Sequence, residues 1–392
     1  MKSLSEANTQ FALDMFRQFG KSKEDNIFYS PLSITSAFAM LLLGCRENTA
    51  LQIEKVLHFN EVTENTKERT AACHDEKPGN VHHQFQKLLT ELNKPTDAYE
   101  LKIANRLYGE KTYKFLQEYL ANTKEFYLAS AESVDFKNAA EESEKKINSW
   151  VETQTNGKIK DLFPKKTLGN TTALVLVNAV YFKGQWKKKF NKEDTKEGEF
   201  WLNKDTSKSV QMMSQRKSFN FALLEDVQAK VLEIPYKGKD LSMIVLLPNE
   251  IDGLQKLEDK LTAEKLIEWT SSQNMSKTDV DLYLPRFKVE KSYDLKDVLM
   301  AIGMVDVFSQ QDADLSGMTG SRHLAVTKAL HKSFVEVTEE GAEAASATGI
   351  VVNITSSGYS IHEEFRCNHP FLFFIKQNKT NSILFFARVS SP

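Results

Sequence analysis

The chain has 392 residues, 41% hydrophobic and 27% charged, enough to bury a large core, and no break in composition divides it. A formal net charge of −2 excludes a general electrostatic attraction to nucleic acid or to an anionic membrane. Three cysteines set far apart, Cys45, Cys73 and Cys367, make neither a disulfide framework nor a Cys-x-x-Cys metal site, and this fits a reducing compartment.

Ser3-Leu4-Ser5-Glu6 offers a capping box, and Ala12, Met15, Phe16 and Phe19 recur at helical spacing. The first segment is therefore expected to be an amphipathic helix rather than a signal peptide. The most apolar early stretch, Ile34 to Leu43, has about half the length a bilayer needs and should be a buried helix entered through Pro31. Between Glu61 and Asn80 the chain is polar, aperiodic and carries Pro-Gly, which predicts an exposed loop over about 61–80. His74, His82 and His83 have no carboxylate or cysteine at the spacing of a metal site, so they are expected to be solvated surface histidines. No metal or other cofactor is expected. The helix that follows, near Val81 to Asn93, carries only Lys87, with Lys94 just past it, and so has no basic stripe.

Thr172 to Phe182 is almost continuously apolar, as a strand covered on both faces should be. Asn178 interrupts the run; an unpartnered buried amide costs about 1–3 kcal/mol, so this residue is expected to bond across the sheet. Ala229–Tyr236 and Leu241–Pro248, joined by Lys237-Gly238-Lys239-Asp240, predict a hairpin. Leu254 to Ser271 reads as one helix with Leu257, Leu261, Leu266 and Trp269 inward. Val280 to Glu290 returns to alternation, and a helix near Leu295–Ile302 ends at Gly303. Phe371–Ile375 and Ile383–Ala387 are too apolar for surface strands. Strands and helices mix without a βαβ rhythm, so the expected class is α+β, in a single domain over 1–392.

The stretch from Val335 to Phe365 has the most unusual composition. Alternation places Ala342, Ala344, Ser346, Thr348, Ile350 and Val352 on one small-to-apolar face behind a pivot at Gly341. Asn353 to Gly358 then forms a polar tip suited to proteolysis. Glu and Ala also favour helix, so the run alone leaves a linker, a modest helix and a strand open.

EEGAEAASAT at Glu339–Thr348, followed by HPFLFFI at His369–Ile375, resembles the reactive loop and C-terminal signature of the serpin family. NAVYFKGQW at Asn178–Trp186 resembles its third-strand signature, and further matches fall in order at Asn26–Ser33, Val231–Pro248 and Leu284–Val289. The loop at about 61–80, with YELKIAN and KGKDLSMIVLLPNEIDGLQKL, is similar to the intracellular, ovalbumin-like branch (clade B) and to its squamous cell carcinoma antigen type. The resemblance implies three β-sheets surrounded by eight or nine helices, a metastable fold, and a reactive loop over about 339–362 held outside. It implies no enzyme but a suicide inhibitor of endopeptidases: the target cleaves the loop, is trapped as a covalent acyl complex, and is carried off as the freed arm enters the main sheet. Glu340, Gly341, Ala342, Glu343, Ala344, Ala345 and Ser346 correspond to the hinge, and Ser30, Ser33, Asn178 and His331 to a structural polar cluster beneath the sheet. Two departures are Ser346, where alanine is more usual, and a loop one residue longer between Gly341 and Glu363.

Counting from Gly341 with the spacing of the family puts the reactive bond at Thr355-Ser356, with Val352 and Ile354 as target-recognition residues. No Arg or Lys lies between Lys332 and Arg366, which makes trypsin-like enzymes poor candidates as targets. Chymotrypsin-like enzymes would prefer Tyr359, which makes the arm too long. Papain-like cysteine proteases of the cathepsin class, which select an apolar residue such as Ile354, are the first expectation; elastase-like enzymes, satisfied by Thr355, come second. The rivals are a non-inhibitory ovalbumin-like protein, disfavoured because Ala342 and Ala344 are small, and a hydrolase built on Ser30, Ser33 and His331, disfavoured because no Gly-x-Ser-x-Gly elbow surrounds either serine. A monomer is expected, in the cytoplasm with non-classical secretion as a second fate, touching neither nucleic acid nor membrane. The sequons at Asn170, Asn274, Asn353 and Asn378 should then stay bare.

Overall fold

A computed structural model describes residues 3–21, 25–62, 80–341 and 362–392. Ser3 accepts the Glu6 amide at 3.2 Å and starts α1 (Leu4–Phe19), which buries Ala7, Phe11, Met15 and Phe16 along one stripe. Strand β1 (Ile27–Tyr29) leads into α2 (Pro31–Leu42), capped by Ser30 with Pro31 in its first turn. Every residue of α2 is buried, so the apolar stretch is a core helix, as expected. Then come α3 (Glu47–Val56), α4 (Asn80–Leu92), β2 (Tyr99–Glu110), α5 (Gln117–Tyr127), β3 (Ser130–Val134), α6 (Phe136–Gln154) and β4 (Leu174–Gly184). The second half is richer in strands: β5 (Lys196–Trp201), β6 (Ser207–Leu224), β7 (Ala229–Pro235), β8 (Leu241–Pro248), α7 (Leu254–Asp259), α8 (Ala263–Thr270), β9 (Ser276–Pro285), β10 (Phe287–Asp294) and α9 (Leu295–Ala301). The chain closes with α10 (Ser316–Thr319), β11 (Lys328–Val337), β12 (Glu363–Arg366), β13 (Phe371–Gln377) and β14 (Ser382–Val389).

The strands order themselves as β10-β11-β4-β2-β3 in one sheet and β1-β14-β13-β8-β7-β6-β9-β12 in another, with β5 on β6. The second is two sheets sharing one long strand: β6 pairs with β7 over Asn220–Leu224 and with β9 over Met212–Phe221, changing partners along its length. Counted that way the fold has three sheets, and ten α-helices surround them among the described residues, α10 being a single turn. β4 is covered on both faces. Val175, Val177, Ala179 and Tyr181 meet α6 through Ile147 and Val151, while Leu174, Leu176, Val180 and Phe182 join the main core with α2 and β14.

Three local expectations change. Leu254–Ser271 is two helices rather than one, because Thr262 turns extended and caps a new start, accepting the Lys265 amide at 3.1 Å. The alternation from Val280 to Glu290 is split at Pro285-Arg286 between β9 and β10, which belong to different sheets. His82 is not a solvated histidine: it is 8% exposed, its Nδ1 lies 2.5 Å from the Tyr127 hydroxyl, and helical spacing puts it on the buried face of α4 with Phe85 and Leu89. His83 is exposed, against the Phe126 ring, and His74 and Cys73 lie outside the described residues.

Candidate functional site: the seam of the main sheet and its hinge

In the five-stranded sheet, β11 and β4 run parallel as direct neighbours, from Lys328 opposite Val175 to Glu336 opposite Lys183. His331 stands opposite Asn178, so their side chains share a face, the one toward α2. There His331 Nδ1 lies 2.7 Å from Asn178 Oδ1, and Asn178 Nδ2 donates to Ser33 Oγ at 2.8 Å. The Ser30 amide donates to His331 Nε2 at 3.0 Å, while Ser30 Oγ donates to the Leu384 carbonyl at 2.6 Å and accepts the Ser33 amide. All four residues are buried. The structure thus brings together Ser30, Ser33, Asn178 and His331.

Burial holds the His331 pKa down at about 3, so the ring is neutral. An amide N–H can only donate, so Nε2 is the bare nitrogen and Nδ1 carries the proton toward Asn178. This geometry removes the hydrolase reading: the one basic nitrogen is occupied by a backbone amide, and the Ser30 hydroxyl points its proton at a carbonyl. What the arrangement does is satisfy polar groups beneath a sheet at the line where two strands meet.

Where β11 ends, the chain is held by the turn that leaves β4. The Trp186 indole donates to the Thr338 carbonyl at 2.7 Å, the Trp186 amide to Glu340 O at 3.1 Å, and the Phe190 amide to Glu339 O at 3.0 Å. Glu339, 2% exposed, accepts from Thr195 Oγ1 at 2.9 Å and pairs with Arg286 at 3.5 Å. Glu340 is drawn below the ordinary carboxylate range by the Gln185 amide and by Lys183, the latter 3.2 Å away. Gly341 forms a parallel bridge to Trp186, and a Cβ there would sit 2.7 Å from the Trp186 carbonyl and 2.8 Å from Lys189 Cα. Only glycine fits so close an approach. Of the expected hinge, Glu340 and Gly341 are placed; Ala342, Glu343, Ala344, Ala345 and Ser346, with Val352, Ile354, Thr355 and Ser356, lie outside the described residues.

Residues 6–392 match the family model described as Serpin (serine protease inhibitor). The chain belongs to the serpin family. This serpin is 73% identical over 392 residues to human Serpin B3, with all of both chains covered. It is 49% identical over 397 residues to the leukocyte elastase inhibitor of Equus caballus, again with all of both chains covered. Among solved structures it is similar to uncleaved ovalbumin, with a TM-score of 0.90 and 40% identity over 100% of each chain. The serpin thus lies in the ovalbumin-like branch and is a protease inhibitor by family rather than a catalyst.

Reading the serpin's sequence alone missed Glu339, Trp186, Arg286 and Thr195 as partners of the hinge. The available signal was two adjacent acids just past the end of a half-buried strand, where a buried acid needs a cation or hydroxyl as partner. Among the described residues no group of three or more His, Cys, Asp or Glu could hold a metal, and no helix is long and apolar enough to cross a membrane. Cys45 and Cys367 are buried, and burial pushes both thiols up.

Proposed function

We propose that this serpin inhibits an endopeptidase by presenting Thr355-Ser356 as bait and then inserting the cleaved arm between β4 and β11. The supporting observation is the seam. β11 and β4 are parallel neighbours, and the loop leaves directly from the end of β11. A segment that folds back at Gly341 would run antiparallel to both, so entering the seam replaces one parallel ladder by two antiparallel ones. If each new backbone pair contributes a net ~1 kcal/mol, an arm of about fifteen residues gains on the order of 10–15 kcal/mol. At roughly 3.3 Å per residue it carries the attached enzyme on the order of 50 Å.

In the chemical step the target's Ser or Cys nucleophile attacks the Thr355 carbonyl carbon. The Thr355–Ser356 C–N bond breaks, and the Ser356 nitrogen leaves with a proton as a new N-terminus. The acyl bond then awaits water. Insertion pulls on it and distorts the target, and a displacement of about 1 Å costs ~10²-fold in rate, so deacylation stalls. Small residues at Ala342, Ala344, Ser346 and Thr348 let the arm slide inward without overpacking.

The first target class is the papain-like cysteine cathepsins, supported by apolar Val352 and Ile354. An elastase-like serine protease is the second, supported by the small Thr355 and by the 49% identity to a protein named leukocyte elastase inhibitor. We place the protein in the cytoplasm as a monomer with bare sequons; at Asn378 the acceptor nitrogen already donates to Lys239 O at 2.8 Å and Ser242 Oγ at 3.0 Å.

The test incubates the protein with a cathepsin and with an elastase, then weighs the released C-terminal peptide. A fragment starting at Ser356 and an SDS-resistant adduct with the cathepsin are expected. An adduct with Ala342→Arg as abundant as wild type would sink insertion, a fragment starting at Ser360 would move the bond, and cleavage without any adduct would leave the non-inhibitory alternative.

A further inference from the structure

The face of the seam opposite the Asn178 cluster carries a second set of contacts. Alternation along β11 presents Lys332, Phe334 and Glu336 there, beneath α6. Glu336 accepts a hydrogen bond from the Tyr181 hydroxyl on β4 and pairs with Lys158 at 3.7 Å and Lys288 at 3.3 Å. Lys158 stands in the turn that leaves α6, and Lys288 on β10 directly opposite Glu336. Further along the same face the Phe334 ring lies 5.4 Å from that of Tyr181, and Lys332 Nζ donates to Lys160 O at 3.0 Å. The Glu336 side chain is only 10% exposed. Burial pushes its carboxyl up, but the Tyr181 hydroxyl and the two lysines outweigh it, so the group sits below its ordinary range and is ionised.

We propose that Glu336 is a positioning residue for insertion, a clasp that ties β4 and the turn after α6 to β11 and must be released before the arm can enter. The proposal rests on the insertion reading given above. Its basis is spacing. Neighbouring strands lie about 4.7–4.9 Å apart, so a new strand between β4 and β11 separates them to roughly twice that. Tyr181, fixed on β4, then cannot reach Glu336, fixed on β11, and the turn carrying Lys158 must lift from the seam. The Lys288 pair spans β10 and β11, which stay adjacent, so it survives. One carboxylate thus holds contacts of two kinds: Tyr181 and Lys158 exist only before insertion, and Lys288 exists before and after.

The experiment compares the full-length protein with Glu336→Gln, Lys158→Met and Lys288→Met, each intact and after limited cleavage within 342–361. Two quantities are read: the thermal midpoint of both forms, and the rate at which a synthetic copy of residues 342–354 anneals into the intact protein. Glu336→Gln and Lys158→Met should lower the intact midpoint by about 2–4 °C. In the cleaved form Lys158→Met should differ from wild type by much less than this, Glu336→Gln should keep only the part owed to Lys288, and both should accelerate peptide annealing about tenfold. Lys288→Met should lower both forms alike. Lys158→Met reads the same clasp from the turn side if Glu336→Gln fails to fold. Equal losses in intact and cleaved forms for Lys158→Met, or unchanged annealing in either clasp variant, would overturn the clasp. If cleaved wild type gains no thermal stability over intact wild type, the insertion reading itself falls, and the clasp with it.

Discussion

The two large sheets are built on opposite terms. In the nine-stranded sheet, β8, β13 and β14 are buried along their whole length and every neighbour among them is antiparallel. Aromatic rings lock them, Phe385 stacking on Phe28 at 5.1 Å and Phe374 meeting Phe386 edge-on at 4.6 Å. In the five-stranded sheet, the centre is a parallel pair whose two faces are held by polar groups: neutral amide, imidazole and hydroxyls on one, a carboxylate with lysines and a phenol on the other. Apolar interlocking has nothing to exchange, whereas hydrogen bonds can be handed to a new strand. The first sheet is a frame, and the second is joined at its centre by contacts that can be exchanged.

The comparison breaks most sharply in the frame. Phe385→Ala should cost about 3–5 kcal/mol, seen as a loss of denaturation midpoint in intact and loop-cleaved protein alike. Asn178→Leu strands the His331 Nδ1 proton and the Ser33 hydroxyl and should cost about 2–3 kcal/mol in the intact form. Retained stability in that variant would show that the cluster is not structural.

The neutral face also gives a pH signature. His331 has its folded pKa depressed to about 3, below the unfolded value near 6.5, so the unfolded chain binds the extra proton between those limits. The contribution is fully present above about pH 6.5 and is lost as pH falls toward 3, with a slope of up to ~1.4 kcal/mol per pH unit. His58 runs the other way: burial pulls its pKa down, but Asp14 at 2.7 Å and Glu61 outweigh this and raise it. The His331 share is therefore read as the difference between wild type and His331→Gln in urea midpoints from pH 7 to 4. Smallest of all, Thr195→Val removes one hydroxyl from Glu339 and should lower the midpoint by about 1 kcal/mol while loosening the hinge, measured as faster proteolysis just after Gly341.

Legibility in the sequence followed burial. Asn178 was readable because a strand covered on both faces makes any amide an anomaly, and α2 because most of its residues are apolar. Glu336 was not readable: in KALHKSFVEV, Lys332 and Glu336 look like an ordinary solvent face, and only the fold brings the turn after α6 over them. His82 carried a usable signal, three residues before Phe85 and seven before Leu89, that its polar identity masked. The break at Thr262 was weakly written, since the residue three positions on is Lys265 and not the acid of a capping box.

Trp186 gives the hinge a natural optical reporter. Its ring stacks on Tyr236 at 4.6 Å, and its indole proton is held by the Thr338 carbonyl, the last stretch of backbone before the loop. Any event that draws residues 338–341 away from the body strips that proton of its acceptor and admits water to the ring edge. The emission of this one fluorophore, isolated by changing Trp150, Trp201 and Trp269 to Phe, should therefore follow the departure of the hinge in real time, without a label and without knowing which protease set it in motion.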